Sequence, residues 1–239
     1  MLQNFIPVAV SCLVSLKSLW YFDTLFQGDR TRSKLLWFFV IHIFCTLNDY
    51  AYIDLDYDVT QHLRPETVAN DYEKSLHYLY LVSIGIWMSQ LLETTLYSKT
   101  RDVDMIVMCS HHLITLLLLC VSYVCKQKAF GALILFQHDA SDILVSFTKL
   151  LAKLKPNSFL VPFAYIGMLI TWAYYRLYRF SYVLVVSMLL PKFFHFPVEW
   201  KFCMVMLSIL SGLHHYWFVL MVKIAFKTDK VKAYESVSK

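Results

Sequence analysis

This sequence predicts an all-α membrane protein whose chain crosses the bilayer about seven times, and three observations carry that reading. Of its 239 residues, 58% are hydrophobic and only 16% charged, too little charge for the surface of a soluble domain of this size. The apolar residues fall in blocks close to the roughly 20 residues a helix needs to cross about 30 Å of hydrocarbon. Strand-period alternation is absent, which argues against a β-barrel.

The blocks are expected at 5–26, 34–53, 75–97, 104–124, 130–151, 158–181 and 199–225. The first is interrupted by Lys17 and lacks a basic leader or a clear small-residue cleavage site, so it reads as a retained helix rather than a signal peptide. The sixth is followed by apolar sequence from Tyr182 to Leu190, so it is expected either to run longer or to precede a re-entrant piece. With no visible repeat or linker, residues 1–239 read as a single transmembrane domain.

Orientation follows from the basic residues. One side would hold Arg30, Arg32, Lys34, Lys99, Arg101, Lys149, Lys153, Lys155 and five lysines from Lys223 onward, thirteen in all. The other would hold six: Arg64, Lys74, Lys126, Lys128, Lys192 and Lys201. That bias, with an acidic segment from Asp54 to Glu73, predicts a luminal N-terminus and a cytosolic C-terminus. The net charge of +5 therefore suits a lipid bilayer and no nucleic acid. The six cysteines show no zinc spacing and read mostly as reduced packing residues.

The chemistry is expected where ionisable groups interrupt the apolar blocks: His111-His112 in the fourth, and His138-Asp139-Ala140-Ser141-Asp142 in the fifth. A charged residue at mid-bilayer costs roughly 2.5–3.5 kcal/mol on insertion scales, so such groups normally face a cavity. Helical spacing puts Asp104, His111, Thr115 and Ser122 on one stripe, with His112 beside it. It puts His138, Asp139, Asp142, Ser146 and Lys149 on another. The seventh block offers Ser208, Ser211, Gly212 and His215 on one face, and His214 is expected to point elsewhere. His215 alone would read as a packing residue; level with the other two clusters, it joins them. Thr171, Tyr175, Tyr178 and Tyr182 on the sixth read as core or interface-belt residues. Arg176 and Arg179 are expected toward the far end, where they can snorkel. No metal site is expected.

At these residues the chain resembles the TLC-domain (Lag1-like) family, and within it the ceramide synthases. The resemblance lies in Asp104-Met105, Met108, His111-His112, Thr115, Ser122-Tyr123, Gly131, His138-Asp139-Ala140-Ser141-Asp142 and Lys149, a core motif over 104–149. Arg176-Leu177 is similar to the Arg-Leu of the family's next helix. The pattern differs at Ser146, where the family usually has Glu, and at Cys125 and Ala129.

The resemblance implies an acyltransferase of the endoplasmic reticulum membrane. A long-chain fatty acyl group would move from acyl-CoA, a co-substrate rather than a resident cofactor, to the amine of sphinganine or another sphingoid base. Imidazole suits that chemistry near neutral pH, as nucleophile toward the thioester or as base toward the amine. His111, His112, His138, Asp139 and Asp142 are the expected catalytic set; Asp104, Thr115, Ser122, Ser141, Arg176 and His215 are expected to bind substrate. His111 is favoured as nucleophile or base, His112 or His138 as a proton shuttle, and the aspartates as partners of an imidazole or of the incoming ammonium. Arg101, Lys149, Lys153 and Lys155 could meet the phosphates of coenzyme A or serve only as orientation signals. Pairing into homo- or hetero-dimers is left open.

Three rivals stand beside this. A lipid-binding or translocation-associated TLC-domain protein would share the fold without the reaction. An elongase-like enzyme would want His-x-x-His-His, where this chain has Met108. A receptor or proton-coupled transporter would use the same buried groups as a relay, yet few Gly or Pro residues break the helices.

Overall fold

The computed structural model describes residues 2–52, 70–97, 103–125, 127–189 and 198–226. Among them are seven helices and no strand. We label them α1 (Leu2–Leu25), α2 (Arg30–Tyr52), α3 (Asn70–Tyr97), α4 (Val103–Val124), α5 (Lys128–Leu154), α6 and α7 (Val198–Phe226). Helix α6 is composite: an α-helical stretch Leu160–Trp172, a π-helical segment Ala173–Arg179 and a second α-helical stretch Phe180–Leu189. The apolar sequence after residue 181 is thus a continuation of the sixth helix, not a re-entrant piece. Helix α3 begins five residues earlier than expected. The segment 54–69, Lys99, Arg101, Lys126 and residues 190–197 lie outside the described residues.

Among the described residues, three stretches are long and apolar enough to cross a membrane by length and composition: Phe5–Leu25, Met105–Val124 and Val198–Phe226. The expectation of seven such spans is therefore met in part. Helix α2 opens with Arg30, Arg32 and Lys34, helix α5 carries Asp139 and Asp142, and α6 is divided by its π-helical segment. Large hydrophobic side chains such as Phe5, Leu13, Phe163 and Ile170 point outward, as they would toward lipid.

Helices α1 and α2 are joined by a tight turn. Gln27 and Gly28 take positive φ values of 52° and 83°, and the Gly28 N–H reaches the Asp23 carbonyl at 2.9 Å, closing the end of α1. Asp29 then caps α2 by accepting the Arg32 N–H at 3.2 Å.

The chain divides into two compact units. The first comprises Met1–Lys17, Leu47–Leu135 and Tyr182–Leu210. Here α3 packs on α4 around a core of Leu76, Leu79, Tyr80, Trp87, Leu119, Ala132 and Leu135. Small residues set the approach of its helices. A Cβ at Gly85 would overlap the Ser11 side chain and the Val8 carbonyl, and one at Gly131 would overlap the Tyr80 hydroxyl. Ser89 and Ser15 join α3 to α1 at 2.8 Å.

The second unit comprises Ser18–Thr46, Phe136–Ser181 and Ser211–Lys239. Its helices are tied by side chains reaching backbone or side-chain acceptors: Trp37 Nε1 to Ser18 Oγ at 3.1 Å, Thr148 to the Ala164 carbonyl at 3.1 Å, and Tyr165 to the Met221 carbonyl at 2.7 Å. The π-helical segment has a packing reason. Met168, Trp172, Arg176 and Phe180 are all buried and recur every four residues. In a plain α-helix that spacing drifts off one face, whereas the wider i→i+5 turn keeps it nearly in line.

Candidate functional site

The first unit holds the histidine pair. His111 and His112 project from α4 beneath Trp87 of α3, with ring centroids 5.8 and 5.5 Å from the indole and 5.6 Å from each other. All three side chains are buried. Thr115 and Ser122 are buried on the same stripe, as their spacing predicts. Their hydroxyls have protein partners: Thr115 donates to the His111 carbonyl at 2.9 Å, and Ser122 lies 3.1 Å from the Leu119 carbonyl and 3.2 Å from the Tyr80 hydroxyl. Asp104 belongs to α4, and its side chain lies outside the described residues.

The second unit holds the aspartates. The Asp139 carboxylate does not meet one of the predicted imidazoles. It pairs with His42 on α2, Nδ1 to Oδ1 at 3.0 Å, in a buried contact. His42 in turn stacks on Phe38, centroids 6.0 Å apart and planes within 9°. Asp142 pairs with Arg176, whose Nη2 lies 2.6 Å from Oδ2.

Arg176 departs most from expectation. It does not snorkel; it is 1% exposed. Its guanidinium donates through Nε to Ser141 Oγ at 2.7 Å, through Nη1 to His214 Nε2 at 3.2 Å, and through Nη2 to the His138 carbonyl at 3.2 Å. The same group lies over the Trp172 ring at 4.4 Å, a cation–π contact. A buried charge requires this much compensation, because transfer of an uncompensated ion into a low-dielectric interior is prohibitive.

The seventh helix is turned differently from the sequence reading. His214 is buried, with its Nε2 3.1 Å from His138 Nε2, and Trp172 Nε1 donates to its carbonyl at 3.3 Å. Phe180 packs edge-on against both imidazoles. His215 is exposed and bonds the Ser211 carbonyl of its own helix at 2.8 Å. The polar stripe misled because its members satisfy themselves locally, as when Ser208 donates to Met204 O at 2.8 Å. The better signal was the apolar spacing Cys203, Leu207, Leu210, which continues to position 214 and is buried throughout. His42 was missed entirely. Its signal is the buried run Trp37, Ile41, Cys45 on α2, which it joins.

Ser141 and Ser146 are buried, and Lys149 is exposed, as an end-of-helix anchor would be. Tyr175 packs against Phe136, while Tyr178 and Tyr182 face outward. Among the described residues, no group of three His, Cys, Asp or Glu side chains could hold a metal ion.

Comparison with known proteins gives the family. The TLC domain family model matches residues 31–223. The chain is 30% identical over 173 residues to Ceramide synthase 1 LOH3 of Arabidopsis thaliana, covering 68% of this chain and 56% of that protein. It is 28% identical over 160 residues to Ceramide synthase 1 of Homo sapiens, covering 60% of this chain and 44% of the human protein. To Sphingosine N-acyltransferase lag1 of Schizosaccharomyces pombe it is 29% identical over 162 residues, covering 62% and 40%. The chain thus spans about half the length of the curated relatives it matches. With the family model covering most of its helices, the chain belongs to the TLC-domain family.

Proposed function

We propose that this chain is an N-acyltransferase that moves a long-chain fatty acyl group from coenzyme A to the amine of sphinganine or another sphingoid base. The carrying observation is the buried imidazole pair His111–His112, held side by side against Trp87. Likeness to proteins named ceramide synthase supports the choice of reaction.

In this reading His111 attacks the thioester carbonyl, the coenzyme A thiolate leaves and takes up a proton, and an acyl-imidazole forms. The neutral amine then attacks that carbonyl, restoring the imidazole and forming the amide. Alternatively His111 serves as base, removing the ammonium proton before direct attack on the thioester. His112 or His138 carries protons. In this reading Asp139, held by His42 through one oxygen, presents its second oxygen to the ammonium, and Asp142, compensated by Arg176, fixes that guanidinium. On the same reading the seven apolar blocks cross the bilayer, and the thirteen-to-six bias of basic residues supports a luminal N-terminus and a cytosolic C-terminus. Placement in the endoplasmic reticulum is inferred from the family.

The test is N-acylation of sphinganine with labelled acyl-CoA, in membranes from cells lacking their own synthase and expressing this chain. We expect N-acylsphinganine from the wild type and none from His111→Ala at equal abundance. Absence of product with the wild type, alongside retained lipid binding, would favour a non-enzymatic lipid-binding role. Wild-type turnover by His111→Ala would remove that residue from the chemistry.

A further inference from the structure

Three side chains of the second unit, Arg176, His214 and His138, constrain one another's hydrogens. A guanidinium has five N–H donors and no acceptor. Arg176 Nη1 can therefore approach His214 Nε2 at 3.2 Å only as donor, and that nitrogen must carry a lone pair. The same nitrogen lies 3.1 Å from His138 Nε2. Since His214 Nε2 bears no hydrogen, the hydrogen between the rings belongs to His138.

The guanidinium cannot drift from this position. Ser141, the His138 carbonyl and Asp142 hold three of its other four donors, and Trp172 lies against its face. His214 is fixed on its own side by Trp172, which donates to its carbonyl, and by the edge of Phe180. Arg176 sits in the π-helical segment, a kind of irregularity that concentrates at functional sites.

We propose that His214 is a positioning residue. Arg176 keeps its Nε2 an acceptor, and His214 thereby holds the proton of His138 on Nε2. His138 then presents a committed donor on that side and cannot act there as nucleophile or base. The inference rests on the acyl-transfer reading for its consequence: His138 takes a proton-delivering or orienting part, which leaves attack on the thioester to the α4 pair.

Two measurements test this on the full-length protein in nanodiscs. The first is 15N NMR of selectively labelled histidine, with His214→Gln and His138→Gln spectra assigning the two residues. We expect an unprotonated Nε2 at His214 and a protonated Nε2 at His138; a protonated His214 Nε2 overturns the proposal. The second is N-acylation kinetics. His214→Leu is expected to lower kcat at least tenfold with KM changed less than twofold. His214→Gln, whose amide oxygen can accept both donors, is expected to recover most of kcat. Equal kcat for His214→Leu and wild type, or equal loss in both variants, overturns it. If the wild type makes no N-acyl product, the proposed reaction falls, and the NMR result still decides whether His214 locks His138.

Discussion

His42 and Asp139, 97 residues apart in sequence, meet through a single buried contact of 3.0 Å between Nδ1 and Oδ1. No sequence pattern announces this pair, yet it decides how the best-marked carboxylate of the chain is held. Removing the imidazole leaves a carboxylate that is 1% exposed without its donor, a loss of about 3–5 kcal/mol by the rule for broken buried pairs. His42→Leu should therefore lower the thermal midpoint in detergent, followed by tryptophan fluorescence, more than Asp139→Asn does. N-acyl product should fall in both.

The Arg176–Asp142 pair gives a sharper outcome. Arg176→Met strands Asp142 and also removes a donor from Ser141, His138 and His214. We expect a loss of about 3–5 kcal/mol. Adding Asp142→Leu should recover part of it, because an apolar pair replaces an unpaired charge. A double-mutant cycle on unfolding free energies measures the coupling. Strict additivity would show that the two groups do not depend on each other.

Two glycines separate backbone from side-chain crowding. Gly131→Ala drives a methyl group into the Tyr80 hydroxyl, at a cost typical of overpacking, about 1–3 kcal/mol. Tyr80→Phe in the same chain should relieve most of that. Gly85→Ala meets the Val8 carbonyl as well as Ser11, so Ser11→Ala should not rescue it. Thermal midpoints of the four variants check both statements.

Trp87 is the common contact of the histidine pair. Trp87→Ala removes a large buried ring and should destabilise by about 3–5 kcal/mol. Trp87→Phe keeps an aromatic face and should retain the fold. If the indole orients the imidazoles, Trp87→Phe will lower kcat while abundance and thermal midpoint stay near wild type.

Helix positions are legible in the sequence because apolar blocks of membrane length leave little freedom. So are the inward faces of α4 and α5, since turning His111, His112, His138 and Asp139 outward would set ionisable groups against lipid at a high cost. The partners themselves are not legible. His42, Arg176 and His214 become part of the site through contacts between helices, and periodicity along one helix carries no information about its neighbour. The serines and His215 of α7 show the converse: polar groups bonded to their own backbone mimic a functional stripe while facing out. The unwinding at Ala173–Arg179 was equally hidden, as nothing in the run Ala-Tyr-Tyr-Arg-Leu-Tyr-Arg spells it.

That wide turn acts as a phase setting for everything downstream on its helix. Deleting a single residue between 173 and 179 would let ordinary winding return without breaking any hydrophobic pattern. The lost residue takes out about 100°, but the tighter winding of those that remain restores most of it, so Phe180 and the residues beyond it would keep roughly their direction relative to Trp172. Apolar substitutions should be tolerated on the outward side of this stretch, and a one-residue deletion there more readily than a one-residue insertion, which has no looser winding left to absorb it.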